Sequence, residues 1–287
     1  MILIADGGST KCDWILLNSQ GEQVFKTRTR GLNPAVFKTE VLEQRLRENE
    51  DLFGVKEKVE KVHFYGAGCG TPGPTNLLKG IMEQFFENAS EILVQEDMVA
   101  AVYAATTEPG IVCILGTGSN SCYFDGENIS TAVDSLGYIL MDEASGNYFG
   151  KRLIRDYFYK KMPQGLAEKF EKEYDLSPDI IKENLYKKEN PNSYLASFAE
   201  FIFTQERNGY FYSLIDEGMK NFIEHRVLCF KQAQKVPVHF IGSIAYFSQD
   251  IIRDCAKPYH LEIGNFVRRP IDGLLQYYRE KMLNNSL

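Results

Sequence analysis

The sequence predicts an α/β protein of two domains, each built on a mixed sheet with helices packed against it. Three observations lead there. The 287 residues are 44% hydrophobic and 25% charged, an ordinary globular composition with length for about two domains of roughly 150 residues each. The opening reads as three short strands followed by alternating helices and strands. That pattern then restarts near Ile111.

In order, Ile2 to Ala5, Cys12 to Leu17 and Glu22 to Thr29 have strand character, with Asn18-Ser19-Gln20-Gly21 as a hairpin turn. From Thr39 to Phe53 the apolar residues Val41, Leu42, Leu46 and Phe53 recur at helical spacing among Glu and Arg, and Val62 to Tyr65 makes a short buried strand. A helix over about 75 to 88, a strand at Glu91 to Val94 and a helix over about 97 to 107 complete a domain placed at 1–108. The second domain, 109–287, opens with a strand at Ile111 to Leu115 and further strands near 120 to 124 and 128 to 134. An offset of 110 residues aligns Gly8 with Gly118, Ser9 with Ser119 and Cys12 with Cys122, which suggests an internal duplication. A helical insertion over about 150 to 235 follows, then a strand at Val236 to Ile241, a helix from Ser243 to Ala256, a strand at Tyr259 to Ile263 and a last helix from Ile271. Apolar faces in the insertion could serve as core or as a homodimer interface.

Composition narrows the function classes. No apolar run approaches the roughly 20 residues of a membrane-spanning helix and the first residues lack signal-peptide features, so a cytoplasmic protein without a membrane partner is expected. Six scattered cysteines without C-x-x-C, and four histidines at no ligand spacing, point to reduced thiols rather than zinc or disulfides. A net charge of −7 disfavours nucleic acid. A small-molecule ligand is the expected partner.

Five short motifs could carry chemistry. Asp6-Gly7-Gly8-Ser9-Thr10-Lys11 ends a strand in an acid and two glycines, a turn whose backbone N–H groups could cradle an anion or simply close a hairpin. Gly116-Thr117-Gly118-Ser119-Asn120 occupies the equivalent place in the second half, so the pair could grip a polyphosphate from both sides of a cleft. Asp97, after Gln95-Glu96 at a helix start, reads as a plain N-cap or as a general base kept ionised near neutral pH by the helix dipole. Asp142-Glu143 could cap the following long helix or bind ligand hydroxyls, with capping the commoner use. Phe240-Ile241-Gly242-Ser243-Ile244-Ala245 runs a strand into a helix across a glycine, a tight connection that also lets a flat ring lie against backbone.

Taken together these residues resemble the acetate and sugar kinase, heat-shock ATPase and actin superfamily, and within it the N-acetylglucosamine kinase type of the BadF/BadG/BcrA/BcrD ATPase family. The resemblance implies two ribonuclease H-like, actin-like ATPase domains and an ATP- and Mg2+-dependent phosphotransfer to an amino sugar. It implies ATP contacts at Gly7, Gly8, Ser9, Thr10 and Lys11, at Gly116, Thr117 and Gly118, and at Gly242 and Ser243 of an adenosine loop. Asp97 would be the catalytic base and Asp6 would help place the magnesium ion. Sugar contacts would fall on Asn33 in Gly31-Leu32-Asn33-Pro34, on Ser119, Asn120 and Asp142, with Gly68 of Gly66-Ala67-Gly68-Cys69-Gly70 edging the same cleft. The family's aromatic-Gly-His-Met-Leu-Gly-Asp-Glu stretch stands here as Leu136-Gly137-Tyr138-Ile139-Leu140-Met141-Asp142-Glu143, which leaves the particular sugar open. The zinc-binding cysteines of the ROK sugar kinases are missing. Two rival readings stand beside the kinase: an ATPase driving a partner enzyme through an iron–sulfur cluster, for which Cys69 is the suggestive cysteine, and a non-catalytic sugar or nucleotide sensor.

Overall fold

A computed structural model of the chain describes residues 1–8 and 10–284. In chain order the first elements are β1 Ile2–Gly7, β2 Lys11–Leu17, β3 Gln23–Arg30, α1 Thr39–Arg47, α2 Glu50–Val55, β4 Lys61–Gly66, α3 Pro72–Phe85, β5 Glu91–Glu96 and α4 Asp97–Ala105. There follow β6 Gly110–Leu115, β7 Ser119–Phe124, β8 Ile129–Ser130 and the inserted helices α5 Gly146–Phe158, α6 Gln164–Glu173, α7 Pro178–Tyr186, α8 Pro191–Phe198, α9 Glu200–Thr204 and α10 Gly209–Phe222. The chain closes with β9 Val238–Ile241, α11 Ser243–Phe247, α12 Gln249–Ala256, β10 Ile263–Val267 and α13 Pro270–Asn284. It divides into two compact units, Met1–Ala104 with Arg269–Leu287, and Ala105–Arg268. The expected split after residue 108 thus lies slightly late, and the last helix, expected in the second domain, returns to the first unit.

In the first unit the strands lie in the order β3-β2-β1-β4-β5, antiparallel across β3, β2 and β1 and parallel across β1, β4 and β5. A strand covered on both faces reads as an unbroken apolar run, and Ile2-Leu3-Ile4-Ala5 is such a run. Leu3 and Ala5 join Trp14, Phe64, Leu42, Leu46, Leu78 and Met82 under α1 and α3. Ile2 and Ile4 face the other way, into a smaller cluster with Ala100 of α4 and Ile271, Leu274 and Tyr278 of α13. The β2–β3 turn is held by Asn18 Oδ1, which accepts from the amides of Gln20 and Glu22 at 2.9 Å each, with Gly21 at φ 76°. The single helix expected from Thr39 to Phe53 is broken at Asn49. Its side chain caps α2, accepting Leu52 N–H at 2.9 Å, and donates to Thr27 Oγ1 and the Arg28 carbonyl of β3.

The second unit repeats the plan. Its strands lie in the order β10-β9-β6-β7-β8, with β6–β7 and β7–β8 antiparallel and β6–β9 and β9–β10 parallel. Each sheet is therefore the same five-strand arrangement, as the aligned glycine turns suggested. β8 ends well before 134 because the Val133 and Asp134 carbonyls accept the guanidinium Nη1 of buried Arg226, which sits on a π-helical turn, Ile223–Val227, continuing α10. The expected strand at Tyr259 to Ile263 is shifted to Ile263–Val267, where Gly264 leaves room for the His239 ring and the Asn265 amide donates to His239 Nδ1. The helix expected over 243 to 256 breaks at buried Ser248. In the insertion, Phe170, Phe198, Phe201, Phe211 and Phe222 are buried in the unit's own core. Gly150 lets α5 approach α8, since a Cβ there would fall 1.7 Å from the Leu195 carbonyl oxygen. No helix among the described residues is long and apolar enough to cross a membrane.

Candidate functional site

The first unit gathers acids at the carboxyl ends of β1 and β5. Asp6, Asp13 and Arg28 stand in one cross-strand row, Asp6 paired with Asp13 and Asp13 with Arg28, so their side chains share a face. Asp13 Oδ1 accepts Arg28 Nε at 2.7 Å, which compensates the charge of that buried acid. Among the described residues no cation forms an ion pair with Asp6. Burial, then the charges of Asp97 and Asp13, push its carboxyl up to about 7, against opposing effects of Lys11 and the Ile271 amide at the start of α13. Asp97 opens α4. The expectation that helix amides would keep it fully ionised near neutral pH is corrected here: its own amide and that of Met98 do favour the anion, but burial and the Glu96 charge outweigh them and raise it to about 7.

Glycines around these acids are there for space. A Cβ on Gly7 or Gly66 would fall 2.3 or 2.4 Å from the Phe64 ring, so both are required by packing across the sheet. Gly8 closes the turn by donating to the Lys11 carbonyl at 2.8 Å, and Thr10 accepts Gly31 N–H at 3.0 Å. Ser9 lies outside the described residues. Lys11 is exposed at the start of β2. Asn33 is buried, its Oδ1 accepting the Ala35 amide at 2.9 Å, and Gly68, at φ 83°, has Asn33 Oδ1 2.0 Å from where a Cβ would stand. The sequence-predicted residues Asp6, Gly7, Gly8, Thr10, Lys11, Asn33, Gly68 and Asp97 thus all belong to this unit. Cys69 is buried with its thiol pushed up to about 12 by burial and by Asp97 and Glu96.

In the second unit the Gly116–Asn120 turn is braced by the start of α5. Gly146 N–H donates to the Gly116 carbonyl at 2.8 Å and Asn147 N–H to that of Thr117 at 3.0 Å, which satisfies amides a helix start leaves open. Asp142 does not cap α5, although capping is the commoner use of such an acid. The cap is Ser145, whose Oγ accepts Tyr148 N–H at 3.2 Å and donates to the Asp142 carbonyl at 2.6 Å. Asp142 itself adopts φ 70°, and its Oδ2 accepts Asn147 Nδ2 at 3.0 Å. That oxygen lies 2.7 Å from where a Cβ on Gly118 would stand, so the turn needs glycine. Burial raises the Asp142 carboxyl, while Asn147 and the Ser119 amide favour its anion. Among the described residues the buried Ser119 Oγ has no hydrogen-bond partner, and Asn120 Oδ1 accepts the Ser121 amide at 2.9 Å. Gly242, at φ 111° with the Leu115 carbonyl 2.2 Å from a would-be Cβ, admits only glycine; Ser243 beside it is exposed.

Asp13, Asn147 and Arg45 were not singled out by sequence reasoning. Asp13 and Arg45 could have been found as lone charges inside apolar periodicity, in Cys12-Asp13-Trp14 and in Leu42 to Leu46. Asn147 carried no signal apart from its proximity to Ser145.

A hard divalent cation needs only one or two protein carboxylates when phosphates and water fill its remaining positions. Asp6, its carboxyl raised by burial and then by the charges of Asp97 and Asp13, is a side chain that could serve as such a donor. Among the described residues no three His, Cys, Asp or Glu side chains gather to hold an ion unaided.

Two five-strand sheets of identical order, with an acid and a glycine turn at the end of the first strand, define an actin-like ATPase fold of the kind found in sugar kinases. The sequence model of the BadF/BadG/BcrA/BcrD ATPase family matches residues 5–228, and the chain belongs to that family. A candidate N-acetylglucosamine kinase of Porphyromonas gingivalis is 37% identical with a TM-score of 0.90, the match covering 98% of this chain and 99% of that one. A candidate N-acetylglucosamine kinase of Chromobacterium violaceum is 15% identical with a TM-score of 0.71, over 96% and 98% of the two chains. A ROK family glucokinase of Streptomyces griseus, in complex with glucose and AMPPNP, is 13% identical with a TM-score of 0.61, over 96% and 97%. At those lower identities the last two likenesses are of fold.

Proposed function

We propose that the protein is an ATP-dependent sugar kinase whose acceptor is an amino sugar, N-acetylglucosamine foremost. The observation that carries this reading is Asp97. An acid at a helix start, raised to about 7, is a base matched to deprotonating a hydroxyl near neutral pH. The 37% identity to the Porphyromonas gingivalis protein supports the sugar class. In this mechanism the turns at Gly7 to Lys11 and Gly116 to Gly118 hold the β- and γ-phosphates, while Gly242 and Ser243 lie against the adenosine. Asn33, Gly68, Ser119, Asn120 and Asp142 orient the sugar. Asp97 accepts the hydroxyl proton as the sugar oxygen attacks the γ-phosphorus and ADP departs. A magnesium ion, bound near Asp6, would neutralise charge on the phosphates. Most of the rate then comes from positioning and electrostatics.

The test is ADP release from Mg-ATP with and without N-acetylglucosamine, glucosamine, N-acetylmannosamine and glucose. Stimulation by one amino sugar, lost in Asp97→Asn, is the expected result. Sugar-independent hydrolysis would transfer the reading to a partner-driving ATPase, and ATP binding without turnover to a sensor.

A further inference from the structure

Arg45 is a charged residue on the buried face of α1, between Leu42 and Leu46, and is only 8% exposed. Burying a guanidinium is costly unless its surroundings are arranged for it. Its carbon Cζ lies 3.8 Å from the centroid of the Phe37 ring, a cation–π arrangement, and its Nη1 donates to the Gly31 carbonyl. These two contacts grip the first and last residues of one loop. Gly31 leaves β3 and donates its own N–H to the Thr10 carbonyl at 3.0 Å. Inside the loop, Asn33 accepts the Val36 and Phe37 amides on its carbonyl, at 3.2 and 3.0 Å, and the Ala35 amide on Oδ1. Arg45 thus touches both ends of a loop whose interior is held by Asn33.

We propose that Arg45 is a positioning residue for the acceptor sugar, clamping the Gly31–Phe37 loop so that Asn33 is presented in one orientation. A flat guanidinium suits this role because it stacks and donates at once, which a lysine ammonium cannot reproduce. The inference rests on the sugar-kinase reading for the role of Asn33, but the clamp itself has a readout of its own.

The experiment combines kinetics and amide hydrogen exchange on the full chain for wild type, Arg45→Met, Arg45→Lys, Asn33→Ala and the Arg45→Met, Asn33→Ala double variant. In Arg45→Met the KM for the sugar rises about tenfold while kcat and the KM for ATP stay within about twofold, and Arg45→Lys falls between. In the Asn33→Ala background the same change alters the sugar KM by less than about twofold, because the residue it acts through is gone. Exchange at Val36 and Phe37 accelerates about tenfold in Arg45→Met while the amides of β1 and β4 keep their protection. Unchanged exchange at Val36 and Phe37, or a KM effect that adds in full to that of Asn33→Ala, overturns the proposal. A wild-type enzyme with no sugar-dependent ADP release would instead defeat the kinase reading, and the exchange measurement would still decide whether Arg45 holds the loop. Should Arg45→Met fail to fold, Arg45→Lys is read by the same criteria.

Discussion

Asp97 shows how residue type and surroundings combine. A helix start by itself favours a carboxylate, yet enclosure and the adjacent Glu96 shift this acid to about 7. As a base it must be unprotonated, so sugar-dependent turnover is expected to rise with pH through about 7 and to level off above. Asp97→Asn should lower kcat by about 10²–10⁴ with little change in ATP affinity, measured by ADP release and calorimetry. Its effect on stability has the opposite sense. The native state holds a proton that the unfolded chain gives up between the ordinary value of 3.8 and about 7, so this acid destabilises the fold increasingly across that window. Asp97→Asn should therefore melt higher than wild type at pH 8, a difference that vanishes below about pH 4. Gly68 poses a steric test: with φ 83° and Asn33 Oδ1 2.0 Å from a would-be Cβ, Gly68→Ala should cost on the order of 1–3 kcal/mol in urea unfolding.

Among the elements, helix α5 has two tasks. Its first amides hold the carbonyls of the Gly116 turn, and its second residue, Asn147, holds the Asp142 carboxylate. Ser145→Ala removes the cap and the hydrogen bond to the Asp142 carbonyl, and should destabilise the protein by about 1 kcal/mol in chemical denaturation. If Asp142 contacts the sugar, the same variant raises the sugar KM more than the KM for ATP. Periodicity located most of the strands and the helices outside the insertion, because apolar side chains recur at two or about 3.6 residues where one face is buried. It could not locate the breaks at Asn49 and Ser248, since both residues sit within sustained apolar periodicity and their partners are distant or backbone. Gly264 and Asn265 lie in a strand beyond the expected end at Ile263, where the His239 ring occupies the space a side chain on Gly264 would need and its Nδ1 accepts the Asn265 amide.

At the scale of the whole molecule, the recurring five-strand order places a glycine turn after the first strand of each sheet, at Gly8 and at Gly116. The first unit is finished only by the end of the chain, since Ile271, Leu274 and Tyr278 of α13 cover the Ile2 and Ile4 face of its sheet. A chain ending at Arg268 should thus lose cooperative unfolding of the first unit, seen as a broadened or missing transition by circular dichroism. The residues 105–268, whose apolar cluster is built from their own helices and strands, should retain theirs. The sequence by itself determined the α/β class, the repeated opening pattern, the two glycine turns and Asp97, because each is written in local spacing and residue type. Only the tertiary structure decided that α13 belongs with the first unit, that Ser145 rather than Asp142 caps α5, that burial raises the Asp97 carboxyl, and that Arg45 touches both ends of the Asn33 loop. Those outcomes depend on which groups the folded chain encloses and on the backbone geometry that brings partners together, as with α13 on β1 far along the chain and with Ser145 and Tyr148 three residues apart, and residue type with spacing fixes neither.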